Sequence, residues 1–233
     1  MASFSLSVTI ILMRTFPTLD IEKELWAQEY AVIGIDEVGR GAFAGPVYVS
    51  GVVFNPVLSP KETLRLETLG INDSKKLSPQ KRLAISSVLQ KENLIHTTSD
   101  VDSGTINEKG IMFALHSAVL QVTQELISKI PQKKVFILLD GTDNPYKDTN
   151  LSYNYRNIIK GDSLSLSIAA ASIIAKVARD TYMTELALQF PHYFWDRNKG
   201  YGTPDHIKAI KTHGHCDQHR LLYLRKLNST LTL

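Results

Sequence analysis

At 233 residues, 43% of them hydrophobic and 21% charged, the chain can bury an ordinary core and reads as one larger domain or one domain with a small appendage. Those proportions exclude a disordered or fibrous chain. A formal charge of +3 excludes binding governed by bulk charge, yet basic residues gather at Lys75, Lys76, Lys81 and Arg82 and again over residues 208–226, where local patches can follow a polyanion.

Residues 1–13 are apolar but lack a basic leader and a small-residue cleavage site, and they are too short to span a membrane. They read as a tail or an over-extended start, with Met13 as an alternative initiator and an amphipathic stretch at residues 21–30 leading into the first strand. Residues 31–36 form a short buried strand, and the β-branched run 47–54, entered through Pro46, is a second strand paired with it as a hairpin. Residues 55–77 make a loop with a brief helical piece, and Ser78-Pro79 starts a helix to about Lys91. A third strand is expected over 94–101, then one helix over 106–130 that Pro131 stops.

The uninterrupted apolar run 135–139 predicts a central strand buried on both faces, ending in Asp140-Gly141. A short fifth strand is expected at 158–160, and a helix over 167–189 whose small residues let it lie close to the sheet. Thr203-Pro204-Asp205 opens a further helix that Gly214 ends, and a last one covers about 219–226. The expected partition is a tail and lead-in at 1–30, a catalytic domain at 31–190 and a helical extension at 191–233 packed on it. The lone Cys216 excludes an internal disulfide and suits a reducing, cytoplasmic setting. It lies among His213, His215 and His219, but zinc sites usually draw paired ligands from two separated places, so a polar loop or helix end is the better reading.

Asp36 and Glu37 close an apolar run and meet Gly39-Arg40-Gly41 at once. In a regular strand the two acids would point to opposite faces, so one site can use both if the strand ends there, which the turn glycines allow. Asp140 also ends an apolar strand, and in mixed α/β sheets ligands bind outside such ends. Asp180 shares a helix face with Ser172 and Lys176, four residues apart in turn. If that face meets the sheet edge, Asp36, Glu37, Asp140 and Asp180 converge with no matching number of Lys or Arg. Crowded carboxylates raise one another's pKa unless cations neutralise them, and Mg²⁺ or Mn²⁺ suits oxygen ligands. Two such ions roughly 4 Å apart can activate water for phosphodiester hydrolysis. For Asp180 the alternative is an ion pair, and for Lys176 a plain i to i+4 pair with it.

Residues 36–41 (Asp-Glu-Val-Gly-Arg-Gly), 73–78 (Asp-Ser-Lys-Lys-Leu-Ser), 139–141 (Leu-Asp-Gly), 171–180 (Ala-Ser-Ile-Ile-Ala-Lys-Val-Ala-Arg-Asp) and 200–203 (Gly-Tyr-Gly-Thr) resemble, in order, the signature segments of the ribonuclease HII family. The resemblance spans about residues 30 to 220 and implies an α/β, ribonuclease H-like fold: a mixed five-stranded sheet flanked by helices, with a C-terminal helical extension. It also implies a metal-dependent endonuclease that cuts the RNA strand of RNA·DNA hybrids and nicks 5′ of ribonucleotides embedded in duplex DNA, leaving 3′-hydroxyl and 5′-phosphate ends. By position, Asp36, Glu37, Asp140 and Asp180 resemble the metal-binding catalytic carboxylates. Gly39, Arg40 and Gly41 look like the turn that reads the ribose 2′-hydroxyl, and Tyr201 like the aromatic residue stacking on the neighbouring sugar. Lys75, Lys76, Ser172 and Lys176 are candidate phosphate contacts. The chain departs from the family's C-terminal pattern at His219-Arg220-Leu221-Leu222-Tyr223. Monomer is the default state, with no membrane partner.

Two rival readings compete with that one. A dinucleotide-binding fingerprint needs a helix after its glycines, whereas Pro46 and the β-branched run point to a strand. A non-catalytic hybrid-binding protein is the other, and the presence of all four carboxylates disfavours it.

Overall fold

The structure, a computed structural model, describes residues 16–91, 94–131, 134–147 and 149–229. The expected tail at 1–13, with Met13, lies outside the described residues. The sequence pattern becomes helix α1 (Asp20–Trp26), strand β1 (Ala31–Val38), β2 (Val47–Val53), α2 (Pro60–Thr68), α3 (Pro79–Lys91), β3 (Ile95–Val101), α4 (Ser103–Lys109), α5 (Ile111–Lys129), β4 (Val135–Asp140), β5 (Asn154–Ile158), α6 (Leu166–Gln189), α7 (Trp195–Asn198), α8 (Pro204–His213) and α9 (Leu221–Ser229). The five strands form one mixed sheet in the order β3-β2-β1-β4-β5. The first three pair antiparallel, and β1, β4 and β5 run parallel.

Each face of the sheet buries its own apolar layer. Ile33, Ile35, Val49, Ile137 and Leu139 pack on Leu115, Val119, Val122 and Leu126 of α5. On the other face Val32 and Leu138 meet Ile168, and Val52 meets Ala169, Ala170 and Ile173, all from α6. The small residues of α6 permit this approach, and Gly34 completes it: a Cβ there would overlap the Ser167 hydroxyl and lie 2.5 Å from the Ile168 backbone nitrogen.

Four elements differ from expectation. β1 does not end at Asp36 but continues through Val38, still paired with β2 up to Tyr48. The helix expected over 106–130 is two helices, because Gly110 takes φ 86° and turns the chain; Asp102 caps the first by accepting from the Thr105 N–H at 2.7 Å. The fifth strand precedes its expected place: residues 154–158 pair with β4, and Lys160, left-handed at φ 57°, turns the chain out of the ladder before it can pair. β4 lies one strand off centre, and β1 is the middle strand.

Candidate active site

The register that pairs Ile35 with Leu139 sets Asp36 beside Asp140 at the carboxyl ends of two parallel strands. Because β1 stays regular, Asp36 and Glu37 do face opposite sides of it. Asp36 is 6% exposed and reaches the Ser172 side of α6, while Glu37 lies with Leu115 and His116 of α5. Both nevertheless line one cavity of about 390 Å³ at the strand ends, together with Arg40, Asp140 and Asp143. Burial pushes the Asp36 carboxyl well above its ordinary range, and the charges of Glu37 and Asp140 push it further, while contact with the Ser172 hydroxyl works the other way. Burial raises Glu37 too, against the attraction of Arg40.

A carboxylate absent from the expected set joins them. Asp162 sits in a one-turn 3₁₀ helix (Gly161–Ser163) after β5, 7% exposed, and burial together with the charges of Asp73 and Asp140 raises its pKa. The residue before it holds the two segments together, since the Gly161 N–H donates to Asp140 Oδ1 at 2.7 Å. Lys75 faces the group: burial works against its charge, but Asp73, Asp36, Asp162 and Asp140 raise its pKa overall. The signal for Asp162 was present in the sequence, where Ile158-Ile159 is a third apolar stretch closed within a few residues by a Gly-Asp pair.

Asp180, expected in the cluster, is held elsewhere. Its carboxylate pairs with Lys176 Nζ at 2.7 Å and Arg82 Nη2 at 3.3 Å, so two cations neutralise it. Arg82 in turn donates to the carbonyls of Ser74 and Leu77, which fastens the lysine-bearing segment 74–77 to α6. Ser172 joins the same fastening through a 3.0 Å bond to the Ser74 hydroxyl. Lys76 is exposed, its Nζ 4.0 Å from Asp73 Oδ2.

The Gly-Arg-Gly turn leaves β1 beside the cavity. Gly39 takes φ 90° in a space where a Cβ would overlap the Arg179 guanidinium, so the position requires glycine. Around Gly41 a Cβ would meet nothing within 4 Å. Arg40 spans the turn, its Nη1 4.0 Å from Glu37 Oε1 and its Nη2 3.5 Å from the Met112 sulfur. Gly200 ties the turn to Tyr201, because the Gly200 carbonyl accepts from the N–H groups of Phe43 and Ala44 at 2.8 and 3.1 Å. Tyr201 is half-buried, with Arg179 5.3 Å and Lys176 5.6 Å from its ring centroid. It lines a second groove that also holds Lys176, Asp180, Arg82, Arg197 and Lys199.

The His- and Cys-bearing segment packs against this region. Trp195 Nε1 donates to His206 Nε2 at 3.0 Å, and His206 Nδ1 lies 2.9 Å from the Tyr201 carbonyl. The Cys216 backbone N–H donates to His219 Nδ1, and His219 Nε2 lies 3.2 Å from His206 Nε2. Burial, with the neighbouring His206, brings His219 down to about 4, so the ring stays neutral and both its nitrogens are engaged.

All four clustered acids, Asp36, Glu37, Asp140 and Asp162, offer hard oxygen donors, and three of them already bear raised pKa values, which is the charge problem a divalent cation solves. Among the described residues no group of three or more His, Cys, Asp or Glu side chains is set to hold a metal ion. The acids fit such an ion by donor type and charge.

The profile of a family described as Ribonuclease HII matches residues 33–226. The chain is 38% identical to the Ribonuclease HII of Caldicellulosiruptor bescii over 90% of its own length and 95% of that protein's, and 40% identical to that of Chlorobium chlorochromatii over 88% and 96%. Among solved structures, the ribonuclease HII bound to PCNA from Archaeoglobus fulgidus superposes with a TM-score of 0.67 at 25% identity, covering 87% of this chain and 97% of that one. A Bst ribonuclease HIII in complex with Mn²⁺ shares the fold, with a TM-score of 0.67 at 18% identity over 87% of this chain and 70% of that one.

Proposed function

Since the chain belongs to the ribonuclease HII family and is with it a metal-dependent ribonuclease H, a hydrolase, we propose that it cuts the RNA strand of RNA·DNA hybrids and nicks 5′ of ribonucleotides embedded in duplex DNA. The products are a 3′-hydroxyl and a 5′-phosphate. The observation that carries the reading is the gathering of Asp36, Glu37 and Asp140 at the carboxyl ends of β1 and β4, with Asp162 near them and burial raising Asp36, Glu37 and Asp162, beside a glycine turn with open space around Gly41. Asp36, Glu37, Asp140 and Asp162 hold Mg²⁺ or Mn²⁺ in this reading, and Asp180 instead keeps Arg82, Lys176 and the lysine segment in place. A bound divalent cation supplies a water deprotonated near neutral pH and charge compensation for the leaving oxygen.

The chain's own groups do the rest. Gly39, Arg40 and Gly41 register the 2′-hydroxyl, which distinguishes RNA from DNA locally. Lys75, already drawn to the carboxylates, meets the scissile phosphate, with Lys176 farther along the strand and Ser172 orienting Asp36. Tyr201 stacks on the neighbouring sugar. Among the described residues no helix is long and apolar enough to cross a membrane, and we place the enzyme in the cytoplasm as a monomer.

Tyr201→Ala tests the substrate reading. Aromatic stacking contributes about 1–3 kcal/mol, so cleavage at a single embedded ribonucleotide is expected to fall on the order of tenfold. The ring is half-buried, so the melting temperature should shift only slightly. A loss of stability matching the loss of cleavage would make Tyr201 a packing residue.

A further inference from the structure

Two arginines are buried, each at 0% exposure, with no carboxylate paired to them among the described residues. Arg179 of α6 donates from Nε to the Pro46 carbonyl (2.9 Å), from Nη1 to Lys199 (2.8 Å) and from Nη2 to Ala44 (3.1 Å). Arg220, one residue before α9, donates from Nε to the Gly45 carbonyl (2.9 Å) and from Nη1 to those of Gly39 (2.6 Å) and Arg40 (3.1 Å). The Tyr223 hydroxyl adds a 2.7 Å bond to the Arg40 carbonyl. Burying a guanidinium without an anion is costly, and here both charges are spent on the backbone of a single loop, residues 39–46, and of Lys199.

The direction of these bonds matters. A trans peptide is planar, with its C=O and N–H pointing opposite ways. Drawing the Gly39 carbonyl onto Arg220 therefore aims the Arg40 N–H away from the protein interior, and drawing the Arg40 carbonyl onto Arg220 and Tyr223 does the same for the Gly41 N–H. Among the described residues nothing accepts a hydrogen bond from either N–H. Around Gly41, where they emerge, the space is open.

The geometry points to Arg220 as a positioning residue for ribose recognition: it grips the Gly39 and Arg40 carbonyls from behind and so presents two backbone N–H donors to the oxygen of a substrate 2′-hydroxyl. Tyr223 assists it, and Arg179 anchors the far end of the loop beside Tyr201. This deepens the proposed function and rests on its assignment of the turn as the hydroxyl reader. A lysine cannot replace Arg220, because a single ammonium on a flexible stem does not present a rigid fork to three carbonyls at once.

The test measures binding in the presence of chelator, so it does not depend on turnover. Affinities are compared for two duplexes, one all-DNA and one identical but for a single ribonucleotide, with wild type, Arg220→Lys and Tyr223→Phe. Wild type is expected to prefer the ribonucleotide duplex roughly tenfold, in line with one or two net hydrogen bonds. That ratio should fall to about threefold or less in Arg220→Lys and to an intermediate value in Tyr223→Phe, a half-buried position that keeps its ring. Melting temperatures taken alongside separate aiming from bulk stability, and Tyr223→Phe gives an answer even if Arg220→Lys does not fold. An undiminished ratio in Tyr223→Phe and in folded Arg220→Lys, with only the melting temperature lowered, would show Arg220 to be a structural brace and overturn the inference. A wild type that nicks at ribonucleotides but shows no preference in binding would also overturn it. A wild type that does neither removes the hydroxyl reading itself, and the inference with it.

Discussion

Asp36→Asn is expected to lower turnover by on the order of 10³-fold, a loss of about 4 kcal/mol of transition-state stabilisation, while leaving affinity for an RNA·DNA hybrid nearly intact. Asp36 sits two residues before the carboxyl end of β1, where Asp140 lies beside it and Glu37 acts on the same cavity. An amide keeps the shape but loses the anionic oxygen that a hard cation needs. The same substitution should raise the melting temperature of the metal-free protein, because a buried carboxylate repelled by two others is replaced by a neutral group. Asp162→Asn should behave like Asp36→Asn. Asp180→Asn should not: it removes an anion shared by Lys176 and Arg82, so it should lower stability and loosen the lysine segment rather than stop the chemistry. Steady-state cleavage of a labelled hybrid, with thermal melts of each variant, separates these outcomes. Full turnover in Asp162→Asn with turnover lost in Asp180→Asn would reverse the assignment of the fourth acid.

Gly34→Ala is expected to be the most damaging single methyl in the sheet. β1 and α6 meet there at backbone contact, so the new Cβ would press on the Ser167 backbone and the Ile168 nitrogen at 2.5 Å, and neither is the end of a movable side chain. Overpacking of this kind costs about 1–3 kcal/mol and more where backbone must move, which for a chain of this size corresponds to a fall in melting temperature of about 6–12 °C at the upper end. The N-terminus of α6 is additionally pinned by Glu22, whose Oε1 accepts from the Ser167 N–H at 3.0 Å and from the hydroxyls of Ser165 and Ser167. A melting temperature within 2 °C of wild type, by the same size scaling, would mean that the helix and sheet slide apart at little cost.

These two sites mark what the sequence discloses and what it hides. The β1–β2 hairpin and β4 are legible because apolar and β-branched runs broken by glycine and proline leave few alternatives, and Asp36 and Asp140 follow as acids closing such runs. β5 is not legible: Asn154 and Arg156 are exposed on an edge strand, so its pattern reads as polar loop. Gly110 splits α4 from α5 through a left-handed turn that helical spacing on both sides conceals. Asp162 leaves only a weak trace, a Gly-Asp pair shortly after the apolar Ile158-Ile159, because a one-turn 3₁₀ helix adds no periodicity to it. Asp180 misleads because helical spacing fixes which residues share a face but not what that face meets, and Arg82 is distant in sequence. Arg179 and Arg220 read as ordinary cations until their burial against backbone carbonyls is seen.

The most direct test is cleavage of an end-labelled DNA duplex containing one ribonucleotide, with Mg²⁺, with Mn²⁺ and with chelator, beside an all-DNA control. The expected result is a metal-dependent nick on the 5′ side of the ribonucleotide, with the control intact. Tight binding without a nick in either metal would contradict the catalytic reading of the carboxylates, and nicking of the control would contradict the assignment of Gly39, Arg40 and Gly41 as the reader of the 2′-hydroxyl.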